Sequence, residues 1–346
     1  MIGNNTYTAP SLGVLKTSAL PIKDQHGRTF NYLRIALNEQ CNLRCMYCMP
    51  EEGIDFRSED KILSTEEIFN LIELTSQMGV SKIRFTGGEP LLRKDLTELV
   101  HFAYQCNGIE SVHLTTNGLL LSKQIDALEK SGLSGINISL DTLKPEKFKK
   151  ITRRNGLDLV LNSLQTAIDS SIQSIKLNVV AMRDFNDDEI MDFVELTKEN
   201  DITVRFIELM PFDSHQIWKT GKFYGADHIV ADIKTQVDEL NPIDGSRTEH
   251  HIFRVNDYKG KVAVIPAYSR SLCGECNRLR ITSDGKLLNC LYSQNEINLR
   301  DAMRNGKTDI EIEDMIRTTI KKKYIDGWKA QNQGNDNRES MTQIGG

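Results

Sequence analysis

The stretch Lys82-Ile-Arg-Phe-Thr86 alternates polar and apolar side chains and runs directly into the turn Gly87-Gly88-Glu89-Pro90. Strict alternation predicts a β-strand with one apolar face and one polar face. A second run, Ile175-Lys-Leu-Asn-Val179, shows the same pattern. Helices are expected to cover the apolar faces, which leaves the polar faces to line an interior lumen. The alternative is that these are edge strands whose charged side chains face water.

Around these two runs, strand-like segments alternate with amphipathic segments. We predict strands at 32–37, 82–86, 108–114, 135–141, 174–182 and 203–209. Apolar residues at helical spacing predict helices at 65–79, 94–105, 121–132, 157–171 and 187–200. This alternation predicts an α/β fold with parallel strands, either an open doubly wound sheet or a partial barrel. The polar strand faces favour a partial (β/α)6 TIM-like barrel with its active site at the carboxyl ends of the strands.

The composition is that of an ordinary globular chain and argues against several classes of function. The 43 basic and 48 acidic residues among 346 give a net charge of −5, which disfavours binding to nucleic acid or to an anionic membrane. No apolar run approaches the roughly 18 residues of a membrane span, and the opening residues lack the pattern of a signal peptide. We therefore expect a cytoplasmic protein whose seven cysteines are metal ligands or spare thiols rather than disulfides.

Three cysteines, Cys41, Cys45 and Cys48, follow the first predicted strand in a C-x3-C-x2-C pattern. Thiolates at this spacing suit zinc or an iron–sulfur cluster. Structural zinc and electron-transfer clusters are usually closed by four protein ligands, but no fourth cysteine or histidine lies nearby in the sequence. Three ligands on a four-iron cluster leave one iron open to bind another molecule. This first trio therefore predicts a reactive iron–sulfur site, with structural zinc as the alternative.

The cysteine spacing, with Tyr47 between the second and third cysteines, resembles the signature of the radical S-adenosylmethionine (SAM) superfamily. The turn at 87–90 resembles the turn that meets the amino group of SAM in that superfamily. The resemblance implies that a 4Fe–4S cluster on the first trio binds SAM. One electron from an external donor would then release a 5′-deoxyadenosyl radical. The resemblance also implies that SAM contacts Tyr47, Gly88, Ser139 and Met210.

A second cysteine trio lies towards the carboxyl end of the chain, at Cys273, Cys276 and Cys290. Again no fourth ligand is close in the sequence. The alternative to a second iron–sulfur cluster is a zinc ribbon that borrows its fourth ligand from Cys106, His250 or His251.

Two arginines, Arg278 and Arg280, lie between the ligands of this second trio and alternate with apolar residues. They therefore share one face of a predicted strand, and Asp284-Gly285 predicts a hairpin turn after it. Guanidinium groups beside an open iron suit an anionic substrate.

The segment 273–291 and the ending MTQIGG at 341–346 resemble the corresponding segments of the GTP 3′,8-cyclase family of molybdenum-cofactor biosynthesis. The resemblance implies two 4Fe–4S clusters, with GTP as the substrate held between them. It implies removal of the ribose 3′ hydrogen and bonding of C3′ to C8, which gives 3′,8-cyclo-7,8-dihydro-GTP. Cyclic pyranopterin monophosphate synthase is the implied pathway partner, and we expect a monomer or a homodimer.

The same resemblance implies which residues contact GTP, namely Arg34, Arg84, Thr115, Lys176, Arg278 and Arg280. Lys82 and Arg205 are further candidates with less defined roles. The terminal Gly-Gly is implied to reach the active site, and the sequence assigns no general acid or base. The alternative function is that of a peptide-modifying radical SAM maturase with an auxiliary cluster.

These motifs divide the chain into four predicted parts. Residues 1–20 form an extension, 21–240 the radical SAM barrel, and 241–328 a carboxyl-terminal domain that carries the second cluster. The remaining residues, 329–346, form a tail that ends in Gly-Gly. Its polar composition predicts a flexible segment.

Overall fold

One sheet of twelve strands organises the computed structural model, which describes residues 20–210, 220–244, 251–269, 272–293, 296–332 and 340–345. A separate hairpin is formed by β1 (Ile22–Lys23) and β2 (Thr29–Phe30). The twelve strands of the sheet are β3 (Tyr32–Ala36), β4 (Lys82–Thr86), β5 (Ser111–Thr116), β6 (Gly135–Ser139), β7 (Ser174–Ala181), β8 (Thr203–Glu208), β9 (Leu240–Pro242), β10 (His251–Val255), β11 (Lys261–Ile265), β12 (Arg278–Ile281), β13 (Lys286–Leu288) and β14 (Glu296–Asn298). The α-helices are α1 (Thr65–Gln77), α2 (Leu96–Gln105), α3 (Ile125–Lys130), α4 (Pro145–Thr152), α5 (Leu157–Ile168), α6 (Ile190–Glu199), α7 (Ala226–Gln236), α8 (Leu299–Arg304), α9 (Asp309–Lys321) and α10 (Gly327–Gln331).

The six predicted strands form the centre of this sheet as β3 to β8. Within the described residues the strand order is β14-β13-β12-β3-β4-β5-β6-β7-β8-β11-β10-β9, and neighbours from β3 to β8 are parallel. At least one α-helix lies in the chain between each pair of these consecutive strands. The predicted α/β fold with a partial barrel is confirmed.

Two strands from the last third of the chain extend the parallel sheet at both edges. Strand β12 pairs in parallel with β3, and β11 pairs in parallel with β8. The segment that we expected to form a separate carboxyl-terminal domain therefore shares its sheet with the barrel. Local periodicity does not report such pairing, because it joins segments that are far apart in the sequence.

Strand β4 shows the predicted division of faces. Ile83 and Phe85 are fully buried in the apolar core, whereas Arg84 and Thr86 line an interior cavity. Arg84 is only 2% exposed. The alternative of an edge strand with water-facing charges is wrong for β4, because β3 and β5 pair with it on both sides.

Helix α1 begins at a side-chain cap that the sequence provides. Ser64 and Glu67 form a reciprocal capping box at the start of α1, with the Glu67 N–H donating to Ser64 Oγ at 3.2 Å. Phe69 of α1 stacks on Phe102 of α2 with ring centroids 4.0 Å apart. These contacts fix the outer layer that covers the apolar face of the sheet.

Some element bounds differ from the sequence predictions. Strand β5 begins at Ser111 rather than at 108, because Gly108 adopts φ +91° in the preceding turn. The predicted helix at 121–132 is a 3-10 turn, Leu121–Lys123, followed by the shorter α3. Helix α4 was not predicted, since it is short and half of its eight residues are charged. Among the described residues, no helix combines the length and the apolar composition needed to cross a bilayer.

Candidate active site

One cavity of about 360 Å³ lies inside the barrel and brings both cysteine trios together. The predicted site residues that line it are Arg34, Cys41, Cys45, Tyr47, Cys48, Arg84, Gly88, Thr115, Ser139, Met210, Cys273, Cys276, Arg278, Arg280 and Cys290. Lys176 is not among its lining residues, although Asn178, on the same face of β7, is. Of the two further candidates, Arg205 lines the cavity and Lys82 does not.

The loop that carries the first trio is held by the end of helix α4. The backbone N–H of Arg44 donates to Thr152 O at 3.0 Å, and that of Met46 donates to Ile151 O at 2.9 Å. Arg153 has a left-handed backbone, with φ +56°, and its guanidinium donates to the backbone oxygens of Arg44 and Met49. The free carbonyls of the helix end thus position the cysteines.

The three thiols of the first trio are all half-buried and free of disulfides. Burial raises the pKa of the Cys41 and Cys45 thiols, and it raises that of Cys48 to about 12. A thiolate here therefore needs a positive partner, and a bound iron–sulfur cluster supplies one. The donor set of this trio fits such a cluster.

Tyr47 points its hydroxyl away from the loop, towards the ends of β6 and β7. The hydroxyl donates to Asp141 Oδ2 at 2.7 Å, and Asp141 Oδ1 accepts the backbone N–H of Val180 at 2.8 Å. Burial raises the pKa of the Asp141 carboxyl to about 6. This bridge fixes the aromatic ring between two cysteines on the wall of the cavity.

The turn after β4 lies tightly against the loop that precedes Cys41. The N–H of Gly88 donates to Asn38 O at 2.8 Å. A Cβ atom on Gly88 would lie 2.2 Å from the backbone oxygen of Gln40, so only glycine fits there. The close approach leaves the backbone of Gly88 at the cavity wall.

The side chain of Glu89 is fully buried beneath this turn. Its carboxylate accepts hydrogen bonds from the Thr116 hydroxyl and the Asn117 N–H, both at 2.8 Å, and from the Leu91 N–H at 3.0 Å. Burial raises the pKa of Glu89 to about 7, against the effect of these donors. Asn117 in turn donates to Asn42 Oδ1 at 2.7 Å, and its Nδ2 lies 3.8 Å from Cys41 Sγ.

The end of the chain packs against the first trio. Ser340 and Met341 both donate hydrogen bonds to the Cys48 backbone oxygen, and Thr86 donates to the backbone oxygen of Gly345 at 3.2 Å. Residues 340–345 are thus docked on the barrel, which corrects the prediction of a flexible tail for this part. The composition of a segment carries no information about a surface, formed by other parts of the fold, on which that segment packs. Gly346 lies outside the described residues.

The second trio lines the same cavity, with Cys273 and Cys276 at a 3-10 turn, Cys273–Glu275, and Cys290 after β13. Burial alone would raise the pKa of the Cys276 thiol, but the charges of Lys323, Arg278 and Arg280 lower it to about 7, with help from the Arg278 backbone N–H. The Cys276 thiol is therefore better prepared than the thiols of the first trio to be a thiolate.

A basic wall connects the two trios across strands β12, β3 and β4. The strand register places Arg280 beside Arg34 and Arg34 beside Arg84. Arg280 is 6% exposed, and its Nη1 has no hydrogen-bond partner among the described residues. Burial and the charges of Arg34 and Arg278 lower the pKa of Arg280 to about 9. An anion in the cavity would relieve this repulsion.

Three cations surround one aromatic ring at this wall. The charged groups of Arg34, Lys82 and Arg84 lie 5.2, 4.8 and 5.6 Å from the Tyr32 ring centroid. In the amide orientation that the neighbouring donors favour, the Asn137 oxygen accepts hydrogen bonds from Arg84 and Arg205, with Arg205 Nη2 at 2.6 Å. The arginines are thereby held in place before any ligand binds.

The residues considered as fourth zinc ligands lie elsewhere. Cys106 donates to Ser76 Oγ at 3.3 Å, between α1 and α2, and His251 is exposed on β10. His250 lies outside the described residues. Within the described part of the chain, no three His, Cys, Asp or Glu side chains converge on a position for a single metal ion.

Comparisons with known proteins agree with this geometry. Residues 35–197 match the radical SAM superfamily, and residues 202–326 match the family Molybdenum Cofactor Synthesis C. A crystal structure of Streptococcus suis SuiB bound to S-adenosylmethionine has a TM-score of 0.57 at 15% identity, over 85% of this chain and 68% of that chain. At that identity the similarity shows the fold alone.

Curated relatives decide the family. GTP 3′,8-cyclase of Chlorobaculum tepidum is 45% identical over 327 residues, which are 94% of this chain and 98% of that protein. GTP 3′,8-cyclase of Syntrophomonas wolfei is 41% identical over 93% of this chain and 99% of its own. This chain belongs to the GTP 3′,8-cyclase family. The GTP 3′,8-cyclases are radical SAM enzymes of molybdenum-cofactor biosynthesis, so SAM and iron–sulfur chemistry follow from membership.

Several residues at this GTP 3′,8-cyclase site were not found from the sequence. Asp141 and Glu89 follow the carboxyl ends of β6 and β4. Because active sites of barrels lie at these ends, their position in the sequence could have indicated a role in the site. Glu208 ends β8 and accepts hydrogen bonds from the N–H groups of Tyr268 and Ser269. Lys323 continues the buried face of α9 that includes Ile316 and Ile320. The helical spacing of these three residues could therefore have predicted from the sequence that Lys323 is buried.

Proposed function

We propose that this chain converts GTP to 3′,8-cyclo-7,8-dihydro-GTP, with SAM at the first trio and a second 4Fe–4S cluster at the second trio. The observation that carries the proposal is one cavity lined by both trios and by the basic wall between them. The names of the relatives, whose lengths are 98% and 99% covered, support the same reaction.

The residues of the first trio would hold the cluster to which SAM binds. When bound, SAM and the cluster supply the 5′-deoxyadenosyl radical that removes the ribose 3′ hydrogen. The role of the protein is to place SAM beside the ribose. The Gly88 backbone would meet its amino group, and Tyr47, Ser139 and Met210 would line the rest of its site.

The basic wall would hold the GTP triphosphate. Arg34, Arg84, Arg278 and Arg280 present fixed guanidinium groups that suit phosphate oxygens. Thr115 lines the same cavity. Lys176 remains an expected contact, on the lumen face of β7 outside the cavity lining. The second trio would present its open iron to the guanine, which places the purine between the two trios.

The wider context is part of the same proposal. An external donor would deliver electrons, and cyclic pyranopterin monophosphate synthase would consume the product. The expected location is the cytoplasm, where free thiols such as those of all seven cysteines persist. The chain would act as a monomer or a homodimer.

Anaerobic reconstitution followed by ligand binding tests this proposal. We expect about eight irons per chain, four at each trio, and saturable binding of GTP. Binding of a peptide without binding of GTP would favour the maturase alternative. Zinc without sulfide at either trio would contradict the proposal.

A further inference from the structure

The hairpin of β1 and β2 is fastened to the second trio by one buried arginine. Arg28 Nη1 donates to Cys273 O at 2.8 Å and to Ile325 O at 2.9 Å, and its Nη2 donates to Tyr324 O at 2.6 Å. Asp24 accepts from Arg28 Nε at 2.6 Å and balances the guanidinium charge. The hairpin thus fixes the segment after α9 against the turn that carries Cys273.

This anchoring fixes the backbone of Lys323. Its carbonyl accepts from Gln25 Nε2 at 3.2 Å, while its side chain is 3% exposed and lines the cavity. The Lys323 ammonium donates to the backbone oxygen of Asn289, which directly precedes Cys290, and it lies 5.4 Å from the Phe30 ring centroid.

The charge of Lys323 is not balanced by an acid. Among the residues that the structure describes, no carboxylate pairs with its ammonium, in contrast to Arg28. Of the cations that act on Cys276, Lys323 has the largest effect. A buried, unbalanced cation is costly and needs an anion nearby.

We propose that Lys323 is a positioning residue for the second iron–sulfur site: it holds the backbone beside Cys290 and keeps a positive charge against the second trio. This inference rests on the second cluster of the proposed function. Reduction adds negative charge to a cluster, and a nearby cation stabilises the reduced form. Lys323 therefore raises the reduction potential of the second cluster.

The test uses the full chain with Cys41→Ala, Cys45→Ala and Cys48→Ala, so that all bound iron belongs to the second trio. In this background, Lys323→Met removes the charge at similar size, Lys323→Arg keeps it, and Lys322→Met changes the exposed neighbour as the control. Iron and sulfide per chain are measured first, and an anaerobic potentiometric titration followed by electron paramagnetic resonance then gives the midpoint potential.

We expect a more negative midpoint potential in Lys323→Met than in the background, and an unchanged potential in Lys322→Met. Equal potentials and equal iron content in all variants would overturn the inference. If Lys323→Met binds no iron, recovery of iron by Lys323→Arg supports the inference, and failure to recover it overturns the charge role. A background protein without iron contradicts the second cluster itself and, with it, the inference.

Discussion

The Ser340 hydroxyl donates a hydrogen bond of 2.9 Å to the backbone oxygen of Cys48, across 292 positions of sequence. The Met341 N–H donates to the same oxygen at 3.1 Å. At the far end of the segment, Thr86 holds Gly345. Residues 340–345 therefore form part of the wall of the site. Release of this segment should remove the two hydrogen bonds that hold the backbone of Cys48 in the first trio.

Substitution of Gly345 should release this segment. Gly345 has φ +74°, and a Cβ atom there would lie 2.8 Å from Ala36 Cβ. Gly345→Ala combines a left-handed strain of about 1–2 kcal/mol with this steric clash. We expect faster removal of the tail by carboxypeptidase. The control is Gly306→Ala, with φ +79° and no atom within 4 Å, which should leave digestion unchanged. Equal digestion of both variants would contradict the docking.

Loss of one first-trio cysteine should remove one cluster. In Cys45→Ala we expect the iron content to fall from about eight to about four per chain and SAM cleavage to cease, because two thiolates do not retain the cluster. Cys106→Ala is the matched control, since Cys106 lies between α1 and α2. Iron analysis and assay of 5′-deoxyadenosine provide the measurement. Normal 5′-deoxyadenosine release from Cys45→Ala would refute the ligand assignment.

The arginines of β12 should serve the substrate and not the source of the radical. Arg278→Ala with Arg280→Ala should weaken GTP binding by about 10- to 100-fold per lost guanidinium and block product formation. Uncoupled SAM cleavage should persist. Arg254→Ala, an exposed arginine on β10, is the control. A double variant that forms cyclised product at the normal rate would rule out this role.

Buried Glu89 should make stability depend on pH. Its pKa is raised from 4.5 to about 7 by burial, so the folded state binds more protons than the unfolded state between these values. Stability is therefore lost as pH rises through this range, by about 3 kcal/mol. The free energy of unfolding of wild type minus that of Glu89→Gln, measured from pH 4 to about pH 8, should therefore fall by this amount. A difference that is independent of pH would show that Glu89 titrates normally.

The central strands and the first trio were predictable because their signals are local. The alternation in β4 and the spacing from Cys41 to Cys48 lie within a few residues of sequence. The pairing of β12 with β3 and of β11 with β8 is non-local, so periodicity could not show that Arg280 lies beside Arg34. The docking of Ser340 depends on a surface that other segments form. The prediction of a flexible tail, which used only the polar composition of the segment, was therefore wrong for residues 340–345.

The most direct test of the account is anaerobic turnover with SAM, a reductant and GTP that carries deuterium at the ribose 3′ position. The cyclised product is an isomer of GTP, so position-specific deuterium is more informative than the nucleotide mass alone. The account predicts that 5′-deoxyadenosine acquires the deuterium while a new nucleotide, separable from GTP, loses it. Unlabelled 5′-deoxyadenosine with GTP recovered unchanged would contradict it.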